Sequence, residues 1–386
     1  MNNLTIAMVG CGGNMGGHRN AYADLWQAGI QDFRITACCD IDQDKAQSMA
    51  QQVAQFQGAT PSVYTDVETM LNAEGNLQAV DISLVHRAHH QVAIPCFEAG
   101  KHVTMEKPIA ITMRAGKQIL DAAQRAGTKF QIAENYRRAP EQRAIKWAID
   151  SGRIGDLRMV FWVDIGERLW YWNWREHRSQ AGGGWPLDGG VHFADLFRYH
   201  IGPVKSLFAH VRTFFPQRFE NREPLGGKLI DVDIEDTTLA EMRFDGDVTG
   251  TWISTTAAPG WPLGGRAVYG SEGGIHWGRG LKSRTEELTI DELVAQYMDR
   301  LSEEDSQRLF PNGLTNTIAT ELKEFMDACK HGTPIETDGL EGYKAMAICF
   351  ALYESQAIGA PVELADIESL KLENYQQDLN EELGLA

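Results

Sequence analysis

Residues 5–17 read Thr-Ile-Ala-Met-Val-Gly-Cys-Gly-Gly-Asn-Met-Gly-Gly, and this stretch decides how the first part of the chain folds. The apolar run of residues 5–9 has the composition of a buried strand. The glycines after it predict a tight turn, and a helical pattern follows His18. Strand, glycine turn and helix form the local context of a dinucleotide-binding turn, in which backbone N–H groups and a helix N-terminus face a pyrophosphate.

The next strand supports this interpretation. Residues 33–39 form a strand-like run that ends at Asp40-Ile41-Asp42. In dinucleotide-binding domains, an acidic residue at the end of the second strand accepts hydrogen bonds from the ribose hydroxyls of the adenosine. Two acids at this place would also repel the 2′-phosphate of NADP. We therefore expect Asp40 to bind the ribose, and Asp40 and Asp42 together to favour NAD over NADP. The alternative is that Asp40 only caps the next helix, which is expected to begin near Asp44.

Three further strand-like runs follow at residues 79–85, 101–105 and 130–135. The first leads to His86, His89 and His90, and three histidines this close in sequence could be the ligands of a metal ion. Polar caps are common in such loops, so we expect no metal there. Lys107 follows the second run, at the edge where ligands bind in open α/β sheets. The alternative for Lys107 is an ion pair with Glu106.

From Gly152 the pattern changes, because strand-like runs recur without helices between most of them. These runs are residues 157–165, 204–214, 237–244, 248–255 and 266–269. They predict a largely antiparallel sheet, and helical segments at 316–330 and 342–358 complete the chain. We expect an α/β Rossmann domain at residues 1–134. An α+β domain with a large, mostly antiparallel open sheet follows at residues 135–386, and its last helices can pack back on the first domain.

Residues 182–192 read Gly-Gly-Gly-Trp-Pro-Leu-Asp-Gly-Gly-Val-His. If Asp188 opens a helix, it caps the first turn and shares a face with His192. A carboxylate beside an imidazole makes an oriented general base. Gly189 and Gly190 each cost about 0.5–1 kcal/mol in a helix relative to Ala, which indicates room for a bound group. The alternative is a capped helix with a buried, hydrogen-bonded histidine.

Residues 162–185 hold five of the ten tryptophans, interleaved with arginines. Aromatic faces stack on the C–H faces of sugar rings, while arginines bond their hydroxyls. We therefore expect Arg168, Trp172, Trp174 and Arg175 to bind a ring-shaped polyol. The alternative is an aromatic cluster in a core or a subunit interface.

Composition excludes several classes of function. A net charge of −17 in 386 residues disfavours nucleic acid and anionic membranes as partners, and no apolar run approaches the roughly 20 residues of a membrane span. The first five residues lack the basic region and cleavage site of a signal peptide. The six cysteines show no C-x-x-C spacing, which is typical of reduced thiols in a cytoplasmic protein.

Taken together, these stretches resemble the glucose–fructose oxidoreductase / inositol dehydrogenase / rhizopine-catabolism (Gfo/Idh/MocA) family. The matching stretches are the dinucleotide turn at 10–16, Ala-Gly-Lys-His-Val at 99–103 with Glu-Lys-Pro at 106–108, N-x-R-x-x-P at 135–140, G-G-G-x-x-x-D-x-G-x-H at 182–192, and the strand–turn at 269–274. Two departures are a glycine turn one residue longer than usual and Leu-Val-His at 84–86, where many members have Thr-Pro-Asn.

The resemblance implies a nicotinamide cofactor and oxidation or reduction of a sugar or cyclitol hydroxyl. The implied catalytic residues are Lys107, Asp188 and His192. The implied cofactor-binding residues are Gly10, Gly12, Gly13, Asn14, Met15, Asp40, His86, His89, Glu106, Lys107 and Asn135. Substrate binding is expected from Lys107, Arg137, Arg168, Trp172, Trp174, Arg175, Asp188 and His192. The family often forms dimers or tetramers through the open sheet, so we expect a homodimer or homotetramer.

Two other functions stay open at this point. Some family members are glycoside hydrolases that keep NAD bound and oxidise, eliminate and re-reduce the sugar without net redox change. The other alternative is a non-catalytic NAD-binding sensor. The joint presence of Lys107, Asp188 and His192 argues against the sensor, because a sensor needs no base opposite the nicotinamide.

Overall fold

The computed structural model describes residues 3–385, which form two compact units. The first contains the described residues up to Ala110 together with residues 115–139 and 301–342. The second contains residues 111–114, residues 140–300 and the chain from Tyr343 onward. Both units are discontinuous in sequence.

Up to residue 139, strands alternate with helices. The strands are β1 (Leu4–Val9), β2 (Phe33–Cys39), β3 (Ser62–Tyr64), β4 (Ala79–Ile82), β5 (His102–Glu106) and β6 (Phe130–Ala133). The helices are α1 (Met15–Gln27), α2 (Gln43–Gln57), α3 (Val67–Ala73), α4 (His89–Glu98) and α5 (Met113–Ala126). The six strands form a parallel sheet in the order β3-β2-β1-β4-β5-β6. This order confirms the predicted Rossmann sheet.

From residue 140 to 300 strands predominate. The helices are α6 (Pro140–Asp150), α7 (Arg178–Ala181), α8 (Trp185–Asp188), α9 (Val191–His200) and α10 (Ile290–Asp299). The strands are β7 (Leu157–Ile165), β8 (Val204–Arg212), β9 (Gln217–Arg222), β10 (Leu225–Asp231), β11 (Thr237–Phe244), β12 (Thr249–Thr255), β13 (Leu263–Gly270), β14 (Gly273–His276), β15 (Gly280–Ser283) and β16 (Glu287–Leu288).

The last part of the chain is mostly helical. Its elements are α11 (Glu303–Leu309), α12 (Thr317–His331), α13 (Gly339–Ile358), β17 (Val362–Glu363), α14 (Leu364–Glu368) and α15 (Gln377–Glu382). Helix α12 belongs to the first unit, where Leu322, Phe325 and Met326 join the core formed by α1, α2 and the neighbouring strands. The Rossmann core is therefore completed by a segment far downstream in the sequence.

The second unit is built on a sheet of nine strands in the order β16-β15-β14-β13-β7-β12-β11-β8-β17. Neighbouring strands are antiparallel except β7 and β12, which are parallel. This arrangement confirms the predicted large, mostly antiparallel sheet. One face carries an aromatic core in which Trp162 lies 4.6 Å from Phe193 and 5.4 Å from Phe197, measured between ring centroids. Alternate side chains must point to the other face.

That other face retains exposed apolar side chains. Phe161 is 40% exposed, and Met159, Leu239 and Tyr269 are exposed as well. No helix within residues 3–385 combines the length and apolar character that membrane crossing demands. The six cysteines, all within the described residues, are free thiols, and all but Cys329 are buried.

Candidate functional site

The glycine turn of the first unit leaves open space beside its backbone. Gly10 has φ +85°, and a Cβ there would overlap the carbonyl of Ser83 on the neighbouring strand segment. A Cβ added at Gly12, Gly13 or Gly16 would meet no atom within 4 Å. These glycines are therefore not required by packing inside the protein, which fits a turn that accommodates a pyrophosphate.

Helix α1 begins at Met15, immediately after this turn, rather than at His18. Its N-cap residue, Asn14, makes no side-chain hydrogen bond to the first turn. The first-turn N–H groups of a helix carry partial positive charge and favour an anion. The turn and the helix start together fit the phosphates of a dinucleotide.

Asp40 is bonded to the glycine turn instead of capping the next helix. One carboxylate oxygen accepts the Cys11 N–H at 2.7 Å, and the other accepts the Asp42 N–H at 2.9 Å. The cap of α2 is Asp42, which accepts from the backbone of Asp44 and Lys45. A carboxylate has about four acceptor positions, so Asp40 retains capacity for hydroxyl donors. Between the two acids, the side chain of Ile41 is 95% exposed.

The histidines after β4 are buried. His89 lies with Nδ1 2.9 Å from the Pro108 carbonyl oxygen and Nε2 3.3 Å from that of Leu84. Burial, together with the nearby His86, lowers the pKa of His89 to about 4, so its ring is neutral. Burial also lowers the pKa of His90. Within residues 3–385 no group of three or more His, Cys, Asp or Glu side chains is arranged to hold a metal ion.

His89 therefore supports the turn that carries Lys107. The Lys107–Pro108 peptide bond is cis, and the Pro108 carbonyl contacts the imidazole of His89. This contact joins the beginning of α4 to the segment after β5. Glu106, the last residue of β5, has one carboxylate oxygen 3.3 Å from Nε2 of His18.

His18 is a functional candidate that the sequence analysis missed. Its other ring nitrogen, Nδ1, lies 2.9 and 3.0 Å from the two oxygens of Asp81. His18 and Asp81 are both fully enclosed. The signal in the sequence was Asp81 itself, because a carboxylate inside a buried apolar strand needs a partner.

The segment after β6 is held by polar contacts within the first unit. Asn135 donates from Nδ2 to Thr317 Oγ1 at 2.9 Å, and Arg137 lies 3.9 Å from Glu341. Arg138 is buried and donates to Glu324 at 2.8 Å. Burial alone would lower the pKa of Arg138, but Glu324, Glu321 and Glu336 outweigh it and raise the pKa. These contacts anchor Asn135 beside the start of α12 and Arg137 beside the start of α13.

The three glycines before α8 are required by packing inside the second unit. A Cβ at Gly182 would lie 2.9 Å from the backbone of Ile111, one at Gly183 would overlap the hydroxyl of Tyr353, and one at Gly184 would lie 2.7 Å from the Glu235 carbonyl oxygen. A Cβ at Gly189 or Gly190 would press on the Trp185 ring or on Pro186. Close packing of protein groups thus explains these glycines, and the expectation of room for a ligand beside Gly189 and Gly190 is not supported.

A buried carboxylate fixes this glycine segment. Glu235 accepts the Gly184 N–H on both oxygens at 2.9 Å and the Tyr353 hydroxyl at 2.7 Å. Burial raises the pKa of Glu235. Because Gly184 precedes α8, this network sets where α8 begins.

Asp188 does not open the helix that contains His192. It is the last residue of the short helix α8, and α9 begins at Val191 after Gly189 and Gly190. The cap of α9 is Gly190, which has no side chain to donate or accept. The expectation that Asp188 caps this helix was wrong, because Gly189 and Gly190 separate Asp188 from the first residue of α9. Both Asp188 and His192 are buried.

Asp188 accepts a hydrogen bond on Oδ1 from Nε of Arg175 at 3.2 Å. The Arg175 guanidinium also lies 4.7 Å from the ring centroid of Trp172 and 4.3 Å from that of Trp174. Sequence-predicted substrate residues and a sequence-predicted catalytic residue are thus brought together within the second unit.

The tryptophans between residues 162 and 185 have different environments. Trp162 belongs to the sheet core, as the alternative interpretation expected for part of the cluster. Trp172 is 43% exposed, which suits a stacking surface. Arg168 pairs with Asp164 at 2.9 Å and lies over the ring of Trp185. Lys107, Asn135 and Arg137 belong to the first unit, whereas Asp188, His192 and the aromatic stretch belong to the second.

Two family models match the two parts of the chain. Residues 4–134 match the oxidoreductase family with an NAD-binding Rossmann fold, and residues 142–276 match the GFO/IDH/MocA C-terminal domain. The chain belongs to the Gfo/Idh/MocA oxidoreductase family. This membership confirms the resemblance and the NAD-binding Rossmann fold that the glycine turn predicted.

Two curated proteins and one solved structure are similar to this chain over most of its length. The chain is 26% identical to levoglucosan dehydrogenase of Pseudarthrobacter phenanthrenivorans, over 96% of this chain and 100% of that protein. It is 28% identical to 1,5-anhydro-D-fructose reductase of Ensifer adhaerens, over 78% and 83%. A solved structure of levoglucosan dehydrogenase with NADH and L-sorbose has a TM-score of 0.74 at 22% identity, covering 94% of this chain and 99% of that one.

Proposed function

We propose that this protein is an NAD-dependent dehydrogenase acting on a secondary hydroxyl, or the corresponding ketone, of a sugar, glycoside or cyclitol. The observation that carries the proposal is the match to a sugar dehydrogenase over nearly the full length of both chains. The buried Asp188 and His192, with Arg175 and exposed Trp172 beside Asp188, support it from the structure.

The proposed chemistry divides among three residues. Oxidation of a secondary alcohol needs a base for the hydroxyl proton and an acceptor for the hydride. Bound NAD supplies the hydride acceptor. His192 takes the hydroxyl proton, because a neutral imidazole is a base near neutral pH. Lys107 stabilises the developing alkoxide with its positive charge, and Asp188 orients the reacting groups.

The cofactor is assigned to residues of the first unit. Gly10, Gly12, Gly13, Asn14 and Met15 form the turn and helix start that fit the pyrophosphate. Asp40 is assigned to the adenosine ribose, and its bonds to Cys11 and Asp42 fix its carboxylate beside the turn. This acid favours NAD over NADP. The segments that carry His86, His89, Glu106, Lys107 and Asn135 are assigned to the rest of the cofactor.

The substrate is assigned to the aromatic stretch and to neighbouring arginines. Trp172 offers an exposed face for a sugar ring, and Trp174 lies against the same guanidinium. Arg168 and Arg137 donate to hydroxyl groups in this assignment. The density of aromatic side chains favours a substrate larger than a bare monosaccharide.

The relatives favour net oxidoreduction over the glycoside hydrolase alternative. One of the two curated relatives named above is a dehydrogenase and the other is a reductase. Neither supports a hydrolase that uses NAD internally to cleave a glycoside. The presence of Lys107, Asp188 and His192 disfavours the sensor alternative.

We further propose a cytoplasmic homodimer or homotetramer. The exposed apolar side chains Met159, Phe161, Leu239 and Tyr269 lie on strands of the nine-stranded sheet, and an extended apolar face favours association with a second copy. The free cysteines fit a reducing compartment. Molar mass by light scattering tests the association, and a monomer at all concentrations would contradict it.

The substrate proposal is tested with a panel of levoglucosan, other anhydrosugars, aldoses, glycosides and inositols. Purified protein is mixed with NAD or NADP, and nicotinamide absorbance is followed. We expect NADH with one class of ring polyol and a weaker response with NADP. If no member of the panel produces NADH and no sugar quenches tryptophan fluorescence, the assignment of the aromatic stretch is wrong.

A further inference from the structure

The turn that contains Arg175 is held by polar contacts on both sides. Residues Asn173–Glu176 form a single 3₁₀ turn between Trp172 and His177. Glu176 pairs with Arg218 at 3.0 Å with both side chains buried, and the Arg178 N–H donates to Asp233 at 2.7 Å. Both flanks of Arg175 are therefore tied to other elements of the second unit, which limits how far its side chain can move.

The guanidinium itself is oriented from two directions. The rings of Trp172 and Trp174 lie 4.7 and 4.3 Å from it, while its Nε donates to Asp188. Arginine stacks with its flat face and donates in its plane, a combination that lysine cannot reproduce. The Arg175 side chain is 20% exposed and that of Asp188 is 9% exposed, so solvent screens this pair less than a surface pair.

We propose that Arg175 is a positioning residue that holds Asp188 as an oriented, ionised carboxylate. This inference rests on the proposed function and changes the role expected for Arg175 from substrate binding to support of Asp188. An arginine stays charged in proteins and favours a charged carboxylate beside it. Glu176 is near enough for its charge to interact with that of Asp188, and it is paired with Arg218.

The assignment separates the roles of Asp188 and His192. An ionised carboxylate only accepts hydrogen bonds. Asp188 therefore accepts a hydrogen bond from one of the reacting groups and keeps that group in place. The hydroxyl O–H bond breaks with its proton passing to the imidazole of His192. The C–H bond breaks with its electron pair passing to the oxidised nicotinamide. Arg175 takes part in neither transfer and acts through Asp188.

The kinetic test compares Arg175→Met, Arg175→Lys, Asp188→Asn and the double variant Arg175→Met/Asp188→Asn. Loss of orientation at a reacting group lowers kcat by about a hundredfold. We therefore expect Arg175→Met to have a kcat about a hundredfold lower, with the KM for NAD unchanged. Arg175→Lys is expected not to restore kcat. Because Arg175 acts through Asp188, the double variant is expected to be no slower than Asp188→Asn alone.

The matched control is Arg153→Met. Arg153 also pairs with an acid, with Nε 2.8 Å from Glu286, and lies 5.0 Å from the ring of Trp147. Its side chain is 17% exposed, close to that of Arg175. We expect this variant to keep the wild-type kcat. Equal activities of Arg175→Met and Arg153→Met, or additive losses in the double variant, would overturn the proposal.

A second measurement needs no substrate. Isotope-labelled aspartate carboxyl groups are followed by NMR through a pH titration, and the Asp188 resonance is assigned by its loss in Asp188→Asn. In Arg175→Met we expect this resonance to titrate at higher pH than in the wild type. An unchanged titration would overturn the proposal, even for a protein that produces no NADH with the panel. Absence of NADH in the wild type would instead count against the proposed function.

Discussion

Nδ1 of His18 lies 2.9 Å from Oδ2 of Asp81, and both side chains are enclosed within the Rossmann unit. Burial alone would lower the pKa of His18, but the Asp81 charge and hydrogen bond, together with Glu106, raise it well above the ordinary value. The imidazole is therefore a cation between two carboxylates. It joins helix α1, which follows the glycine turn, to the strands β4 and β5.

Replacement of His18 by glutamine is expected to destabilise the protein by about 3–5 kcal/mol, because it leaves the buried carboxylate of Asp81 without its cation. The folded-state pKa lies above the unfolded value of about 6.5, so the native state binds more protons between these two values. The stabilisation is fully present below about pH 6.5 and is lost as the pH rises through the folded-state pKa.

Urea unfolding of the wild type and His18→Gln from acidic to alkaline pH measures this difference. The gap between their free energies of unfolding should narrow as the pH rises. A suitable control is His200→Gln, since His200 is also buried and has Nε2 2.9 Å from the neutral side-chain oxygen of Gln142. A gap for His18→Gln that does not vary with pH would show that His18 is not held as a cation.

Replacement of Asp40 by alanine should change cofactor preference. Loss of the carboxylate removes the group assigned to the ribose hydroxyls and the repulsion of a 2′-phosphate. We expect the Kd for NAD to rise about tenfold, the equivalent of about 1.4 kcal/mol, with a smaller effect on NADP. Asp66→Ala, which removes the side-chain cap of α3 and is assigned no role toward the cofactor, serves as the control.

Asp40 also bonds the Cys11 N–H, so Asp40→Ala loosens the turn as well. A looser turn alone would weaken the binding of NAD and of NADP by the same factor. The ratio of the two Kd values, measured by fluorescence titration, therefore distinguishes the roles. An unchanged ratio would remove Asp40 from the ribose site.

Alanine at Gly184 is expected to destabilise the second unit by about 1–3 kcal/mol, as overpacking does in a dense core. The added Cβ would lie 2.7 Å from the Glu235 carbonyl oxygen and 2.9 Å from its carboxyl group. Gly264→Ala is the control, because its nearest atom would be 3.7 Å away. Thermal unfolding should show a lower Tm for Gly184→Ala only. Equal Tm values would mean that the glycine segment adapts easily.

His192→Ala is expected to lower kcat by about 10²–10⁴-fold, the range of a general base. Lys107→Ala is expected to lower it by about 10²–10³-fold, the range for loss of one group that stabilises developing charge. NAD should still bind, because the glycine turn and Asp40 remain. Lys101→Ala provides a control, since Lys101 donates to the Leu77 carbonyl at 2.8 Å and is assigned no role in the reaction. Turnover near that of the wild type in either variant would remove that residue from the catalytic group.

The sequence predicted best those elements whose burial follows a clear pattern. Strands β2, β7 and β11 have the bounds that their apolar runs predicted. The hairpin of β9 and β10 was missed because its side chains are mostly exposed. The strands β14–β16 were missed because they are too short to show a pattern. Patterns of apolar residues carry information only where one face is buried.

Glycines and acids in the candidate site were harder to interpret. Gly12 and Gly184 look alike in sequence, yet one faces open space and the other packs against Glu235. That difference depends on a residue about fifty positions away. The pairing of Asp188 with Arg175, instead of a helix cap, likewise follows from how two turns fold against each other. The roles of Lys107, Asp188 and His192 remain predictions from their motif.

The most direct measurement is the ratio of NADH formed to ring ketone produced when the wild-type protein acts on its best substrate from the panel. The account predicts equal amounts of NADH and ketone, with the glycosidic or anhydro linkage intact at the end of the reaction. Cleavage of the linkage without accumulation of NADH would contradict it and would identify a hydrolase that uses NAD internally.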